Sequence, residues 1–226
     1  MKVLCTNGVK AVTVELIPAA ERTLGSSIEV DYASTMALMD KIAAGATGDL
    51  AVLSAEAIDE LIGKGVLQRG SRIDLARSVI GVAVRSGARE PDIGTADALK
   101  ATLLAAKSVA YSRTGISGLY MPELFRKLGV TDQIAPKAVI PTSGSVGEAV
   151  ARGEGEVGLQ QVSELLPVPG IKVVGPLPDS VQRVTVFSAG IFSSAKEPQA
   201  ARTLVEQLAA STTRALYSAK GLQPAF

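Results

Sequence analysis

SVAYSRTGISG, residues 108–118, joins an apolar, strand-like run to a helical pattern through a short turn rich in glycine and hydroxyl groups. Backbone N–H groups at a helix start are unpaired and lie at the positive end of the helix dipole, so this turn favours an anion. Gly115 and Gly118 let the backbone approach a ligand closely, and Arg113 offers a planar fork of donors that matches a carboxylate or phosphate edge. The alternative interpretation is an ordinary strand-to-helix connection with a surface arginine.

Short apolar strands alternate with helical patterns in the first third of the chain as well. Strand-like runs at 3–5, 28–32 and 50–53 each precede a helical pattern, although Pro18 in the first of these patterns predicts a kink or break. Strands separated by helices predict a mainly parallel sheet, whose ligands bind at the carboxyl ends of the strands. The candidate binding residues that follow these strands are Asn7, Gly8, Ser34, Thr35 and Ser54. Such residues are also common N-caps, so a set of helix caps remains the alternative.

The second half repeats the pattern and predicts a two-lobed molecule. A strand over 137–140 leads into the hydroxyl-rich turn PTSGS at 141–145, and the strand at 157–159 ends in Gln160 and Gln161. Long β-rich runs at 75–84 and 182–191 are typical of strands that leave one sheet for another. We therefore predict an α/β fold with two mixed sheets flanked by helices and joined by two crossover strands. Lobe I comprises residues 1–78 plus 188–226 and lobe II comprises 79–187, with a ligand cleft between them.

Composition excludes several classes of function. The net charge is +1 and basic residues do not cluster, which argues against nucleic-acid binding and against a membrane-surface helix. The apolar runs are too short to span a bilayer, and the chain as given shows no leader peptide. There is no histidine, and Cys5 is the single cysteine, which excludes disulfides, zinc-finger spacings and serine–histidine triads. We expect no metal and no cofactor, and we interpret Cys5 as a core residue.

The whole chain resembles the substrate-binding proteins of bacterial ABC transporters, specifically the molybdate-binding group. The resemblance lies in STMALMDKIAAGATGDLAVLSA from residue 34, LARSVIGVAVRSG from 75, SRTGISGLYMPELFRKLGV from 112, GEAVARGEGEVGLQQVSELLPVPGIKVVGPLP from 147 and KEPQAARTLVEQLAA from 196. It implies a type II periplasmic-binding-protein fold that closes on a small anion, a membrane permease as partner, a monomeric state and a periplasmic location. The missing leader leaves a cytoplasmic location open.

The resemblance also implies how the anion is held. Hydroxyl and backbone N–H groups bind a tetrahedral dianion in molybdate binders, which points by position to Asn7, Ser34, Ser54, Ser145 and the backbone near Val146. Two departures favour an organic carboxylate: Gln160 and Gln161 stand where a tyrosine is expected, and Arg113 adds a guanidinium. The full set of candidates in the second lobe is Ser112, Arg113, Thr114, Ser117, Gly144, Ser145, Gln160 and Gln161.

Other functions remain open on the same scaffold. Some relatives of this subgroup are isomerases of aconitate, a tricarboxylate whose double bond moves by proton transfer. Without histidine, the base would be a carboxylate, lysine, tyrosine or water, and Glu164 and Tyr32 are the nearest candidates, each with a structural role as the alternative. No catalytic residue is assigned at this point. The effector domain of a transcription regulator ranks last, because the chain begins at the first strand rather than at a helix-turn-helix.

Overall fold

The computed structural model describes residues 1–142 and 144–226. The chain forms two compact units, one of residues 1–78 and 185–226 and the other of residues 79–184. The second boundary precedes the predicted one at 187/188, because the strand that begins at Thr185 belongs to the first sheet from its first residue, where Thr185 pairs with Ser78.

The strands are β1 (Lys2–Thr6), β2 (Glu29–Ala33), β3 (Leu50–Ser54), β4 (Ile73–Ser78), β5 (Ile80–Arg85), β6 (Val109–Tyr111), β7 (Ala138–Val139), β8 (Val157–Gln161), β9 (Ile171–Pro176), β10 (Thr185–Ile191) and β11 (Gln223–Pro224). The α-helices are α1 (Lys10–Leu24), α2 (Thr35–Ala43), α3 (Ala55–Gly63), α4 (Ala96–Ala105), α5 (Ile116–Leu128), α6 (Thr131–Ile134), α7 (Val146–Ala151), α8 (Val162–Leu165), α9 (Pro198–Leu208) and α10 (Arg214–Ala219).

Each unit contains one mixed sheet. The first has the order β11-β4-β10-β3-β1-β2, with β1 parallel to both β2 and β3 and β10 antiparallel to β3 and β4. The second has the order β7-β6-β8-β5-β9, with β6 parallel to β7 and β8 and β5 antiparallel to β8 and β9. The predicted α/β fold with two mixed sheets flanked by helices is confirmed.

Hydrophobic packing covers both faces of the first sheet. Successive side chains of a strand point to opposite faces, so Cys5 packs in a core with Tyr217 while Leu4 packs in another with Phe192. The second unit has its own core around β5, β6 and β8, into which α4 and α5 bury apolar side chains. Helices therefore fix each sheet through a hydrophobic core of its own unit.

The predicted break at Pro18 does not occur, since α1 runs unbroken from Lys10 to Leu24. Proline removes one backbone donor, which would otherwise bond the carbonyl four residues earlier, that of Val14. Both residues are exposed, with Val14 51% accessible. Water can replace the missing donor there, so the helix continues.

Candidate functional site

The carboxyl ends of β1, β2 and β3 meet at one edge of the first sheet. Thr6 pairs with Ala33, and Cys5 pairs with both Tyr32 and Val52. The predicted binding residues of this unit follow these strand ends directly and so lie at the same edge: Asn7, Gly8, Ser34, Thr35 and Ser54.

Two of the predicted hydroxyls serve as helix caps. Ser34 Oγ accepts a hydrogen bond from Ala37 N at 3.2 Å, and Ser54 Oγ accepts one from Ala57 N at 3.4 Å. The cap interpretation therefore holds for both, but accepting an N–H leaves the hydroxyl proton available for a ligand. Thr35 differs, because its buried hydroxyl already donates its proton to Thr6 Oγ1 of the same unit at 3.2 Å. That proton is therefore not available to a ligand.

Asn7 and Gly8 have separate roles. The side chain of Asn7 is partly exposed and makes no hydrogen bond with any residue that the structure describes, so its amide can both donate and accept. A Cβ added to Gly8 would overlap the ring of Phe187. Gly8 is therefore needed for packing, since it lets the turn that begins at Asn7 lie directly on that ring.

In the second unit, the turn 112–115 connects β6 to α5. Ser112 Oγ accepts hydrogen bonds from Thr114 N at 3.2 Å and from Gly115 N at 3.0 Å. Both acceptor positions of this hydroxyl are thus occupied, and its proton must point elsewhere. Gly115 is the N-cap of α5 and has no side chain with which to cap the helix, so the first N–H groups of a 13-residue helix stay unpaired. These unpaired N–H groups, together with the proton of the Ser112 hydroxyl, are donors of the kind that an anion requires.

Ser117 adds a buried hydroxyl to the same turn. Its side chain is 2% exposed and has no hydrogen-bond partner among the residues described. A Cβ placed on Gly115 would lie 3.3 Å from Ser112 Oγ and 4.0 Å from Ser117 Oγ, so both hydroxyls face the Cα of Gly115. This hydroxyl is therefore available to donate a hydrogen bond to a ligand.

Arg113 and Thr114 project from this turn into solvent. In the described part of the chain Arg113 makes no ion pair and no hydrogen bond, unlike Arg152, which pairs with Glu154 at 2.6 Å. Its guanidinium therefore has all of its donors available for an external anion.

The turn before α7 is organised by a capping box. Ser145 Oγ accepts from Glu148 N at 3.2 Å, and Glu148 Oε2 accepts from Ser145 N at 2.8 Å. Gly144 has a φ of 72°, and a Cβ there would overlap the carboxylate of Glu148. Ser145 and Gly144 thus build the helix start, and only the hydroxyl proton of Ser145 is left for a ligand. Ser143, in the same turn, lies outside the described residues.

Glu148 was not among the sequence candidates, although the signature of a capping box, a serine followed three residues later by glutamate, is present at 145–148. Its carboxylate accepts from the N–H of Ser145, beside the backbone near Val146 that the resemblance points to for an anionic ligand. A bound anion near this turn would have to share the position with Glu148.

Gln160 is buried and bridges two groups. Its Oε1 accepts from Gly147 N at 3.4 Å and its Nε2 donates to Glu164 Oε2 at 2.8 Å. The carbonyl oxygen of Gln160 is therefore occupied by the first turn of α7, and one N–H of its amide remains for a ligand. Gln161 is also buried and is held within the protein.

The two candidate bases differ sharply. Burial raises the pKa of Glu164 to about 7, and the hydrogen bond from Gln160 opposes this only in part. Burial also raises the pKa of Tyr32, whose hydroxyl lies 2.9 Å from Thr13 Oγ1 and whose ring carries Lys10 Nζ at 5.2 Å. A tyrosine with a raised pKa is a poor base at neutral pH. The pKa of Glu164 lies near neutral pH, which suits its carboxyl group to general acid–base catalysis.

Metal binding and membrane insertion find no support in the described residues. They contain no group of three or more histidine, cysteine, aspartate or glutamate side chains that could hold a metal ion. None of the described helices combines the length and the apolar character that crossing a bilayer requires.

Comparison with known proteins gives a family and a fold. The family model described as bacterial extracellular solute-binding protein matches residues 1–223. An aconitate isomerase from Pseudomonas sp. is 36% identical over 230 residues, which cover 99% of this chain and 87% of that protein.

Solved structures of solute-binding proteins share the fold. The periplasmic molybdate-binding protein of Azotobacter vinelandii superposes with a TM-score of 0.80 at 19% identity, covering 98% of each chain. The sulfate-binding protein SubI of Mycobacterium tuberculosis H37Rv gives a TM-score of 0.78 at 16% identity, covering 100% of this chain and 86% of that chain. Because both identities are low, these structures establish the fold alone.

Proposed function

Because the chain belongs to the bacterial extracellular solute-binding protein family, we propose that it binds a small organic anion. The protein recognises one or more carboxylate groups of this anion. The observation that carries the proposal is the turn before α5, where Arg113, Ser112 and Ser117 present donors around unpaired N–H groups. Charge-assisted hydrogen bonds of this kind are about twice as strong as neutral ones.

The guanidinium decides between a carboxylate and a bare oxyanion. Its planar fork matches the two oxygens of a carboxylate, whereas neutral hydroxyl and N–H groups suffice for a tetrahedral dianion. In this proposal Arg113 binds one carboxylate edge, and the remaining donors come from Asn7, Ser34, Ser54, Ser112, Ser117 and Ser145. The protein acts as a periplasmic monomer and delivers its ligand to an ABC permease.

Thermal shift measurements test the ligand class, because a ligand that binds only the native state raises the unfolding midpoint. The panel contains molybdate, tungstate, sulfate and a series of di- and tricarboxylates. We expect tricarboxylates to raise the midpoint of the wild type and to lose this effect in Arg113→Ala. Arg89→Ala is the matched control, since Arg89 is also exposed and has no ion pair in the described part of the same unit. A shift with molybdate alone, or an unchanged response of Arg113→Ala, contradicts the proposal.

A second candidate function is the isomerisation of an unsaturated tricarboxylate. One observation favours it: the 36% identity to an aconitate isomerase extends over 99% of the chain. Binding and isomerisation need the same anion site and differ only in whether a proton moves. Incubating the protein with excess cis- or trans-aconitate and following their interconversion by proton NMR separates the two functions. Conversion of many equivalents per protein supports the isomerase, and no conversion at high protein concentration removes it.

A further inference from the structure

Glu164 lies at the sheet edge that carries the anion-binding turn. Tyr111 pairs with Leu159 in parallel strands, so the residues that follow, Ser112 and Gln160, are neighbours at the carboxyl ends of β6 and β8. Glu164 comes one turn after Gln160, on α8, and is tied to it through the 2.8 Å hydrogen bond. The carboxyl group therefore belongs to the same edge as the donors proposed to hold the ligand.

Its two oxygens are in different states. Oε2 accepts from the amide of Gln160, whose own orientation is fixed by Gly147 N. Oε1 has no hydrogen-bond partner in the part of the chain that the structure describes, and the side chain is only partly buried. One carboxyl oxygen is thus oriented and free to exchange a proton with a bound molecule.

Charged groups near Glu164 are few. The elements that make the most contacts with α8 are β5, β8, β9 and α7. β8 contains no charged residue, and Arg85 of β5 and Lys172 of β9 lie toward the opposite end of the sheet. The remaining charged residue, Glu148 of α7, accepts a hydrogen bond from Ser145 N. In the part of the chain that the structure describes, none of these elements places a cation beside Glu164, so desolvation dominates and its pKa rises to about 7.

We propose that Glu164 is the catalytic residue that transfers the proton in the isomerisation of an unsaturated tricarboxylate, an inference that rests on the second candidate function. The Glu164 carboxylate removes a proton from the methylene carbon of the substrate, and the electron pair of that C–H bond forms a new double bond to the central carbon. The original double bond opens, and its far carbon takes a proton from the Glu164 carboxylic acid, which exchanges its proton with water because the side chain is only partly buried. One C–H bond breaks and one forms, the double bond moves by one position, and the carboxylate is regenerated without any other reactant.

A carboxyl group suits this shuttle only if both of its protonation states are accessible during turnover. A group whose pKa lies near the working pH meets that condition, because it neither holds nor releases the proton too strongly. The hydrogen bond from Gln160 keeps one oxygen oriented in either state, since that oxygen accepts in both.

Deuterium incorporation from D₂O into aconitate, followed by proton NMR, reads out proton transfer directly. We expect the wild type to label the carbon-bound positions and Glu164→Gln to do so about 100-fold more slowly, the lower range for general acid–base catalysis. Titration calorimetry with the same aconitate isomer measures binding, which Glu164→Gln retains by this proposal. Glu154→Gln is the control, because Glu154 is an exposed carboxylate of the same unit in an ion pair with Arg152, and it labels at the wild-type rate.

Two further measurements keep the proposal testable if Glu164→Gln fails to fold. Glu164→Asp keeps the carboxylate but moves it by one methylene. We expect this variant to label aconitate slowly, although its thermal unfolding midpoint shows that it is folded. In the wild type, we expect kcat to decrease with falling pH below the pKa of Glu164, with a slope that approaches tenfold per pH unit. A flat profile from pH 5 to 8 overturns the assignment.

Labelling by Glu164→Gln within threefold of the wild type also overturns it. Absence of aconitate binding by the wild type refutes the proposed function itself, and binding without any labelling refutes only this inference.

Discussion

The carbonyl oxygen of Ser112 lies against the Cα of Gly118, where a Cβ of residue 118 would overlap it. This contact folds the turn 112–115 back onto the first turn of α5. It brings the hydroxyl of Ser112 close to the helix start, where that hydroxyl accepts from Thr114 N and Gly115 N. The geometry of the turn 112–115 therefore depends on the absence of a side chain at position 118.

Gly118→Ala is expected to displace this turn, because the obstacle is backbone and cannot rotate away. Overpacking of this kind costs about 1–3 kcal/mol of unfolding free energy, and tricarboxylate affinity should fall with it. Urea unfolding and calorimetry measure the two effects. Gly63→Ala is the matched control, since Gly63 ends α3 with nothing within 4 Å of an added Cβ, and it should stabilise by about 0.5–1 kcal/mol. Equal stability of Gly118→Ala and the wild type would show that the turn adapts.

Ser117→Ala is expected to separate stability from binding. The Ser117 hydroxyl has no partner among the described residues, so its removal should leave the thermal midpoint of the ligand-free protein unchanged or higher. A hydrogen bond to a charged ligand contributes about 1.5–3 kcal/mol, so the tricarboxylate should bind about tenfold more weakly or worse. Ser145→Ala gives the contrast, because Ser145 caps α7 and its loss should lower stability by about 1 kcal/mol. A wild-type Kd for Ser117→Ala would remove this hydroxyl from the site.

Local patterns were enough to predict the alternation of strands and helices and the turns at their ends. Each such signal, for example the step from Tyr111 into the turn before α5, lies within about ten residues of chain. Ser34 and Ser54 also follow local rules, since a serine at a helix start accepts the N–H three residues later whatever else it does.

Contacts between distant segments could not be predicted in this way. The amide of Gln160 is oriented by Gly147 and Glu164, and no pattern at 160–161 shows that its carbonyl is already occupied. Lys137 is another example, because its ammonium group donates to the last carbonyls of α4, more than 30 residues earlier. Such partners depend on how strands order themselves in a sheet, which sequence periodicity does not encode.

Asp49→Asn is expected to destabilise the first unit at neutral pH. The buried carboxylate accepts three backbone N–H groups: Lys2 N at 2.7 Å on Oδ2, and Lys196 N at 2.7 Å and Glu197 N at 2.9 Å on Oδ1. An asparagine must direct its NH₂ group at one of these donors and so loses at least one bond. Hydrogen bonds to a charged group contribute about 1.5–3 kcal/mol each, and we expect a loss in this range in urea unfolding at pH 7.

The pH dependence gives a second readout for Asp49. Burial alone would raise its pKa, but the N–H groups of Lys2, Glu197 and Lys196 and the nearby N-terminus together hold the pKa below its usual value. A depressed pKa in the folded state stabilises above the unfolded value of about 4, and this contribution is lost as the pH falls through the folded value. The gap between wild type and Asp49→Asn should therefore narrow below about pH 4. Asp40→Asn, at an exposed position of α2, should show no such gap, and a gap for Asp49→Asn that is constant down to pH 2 would contradict the argument.

Cys5 is expected to react with an aromatic disulfide reagent only after the first unit opens. Its thiol is fully buried in β1, and burial raises its pKa to about 12, against the opposing contact with Thr13 Oγ1 at 3.9 Å. The thiolate is the reactive form, so at pH 8 only about one thiol in 10,000 is ionised in the folded state, compared with roughly a quarter of unfolded chains. Labelling should be slow in buffer, reach one thiol per chain above the urea midpoint, and be slowed further by a tricarboxylate that stabilises the native state. Fast stoichiometric labelling in buffer would mean that β1 is accessible without unfolding, because the chain contains no other cysteine.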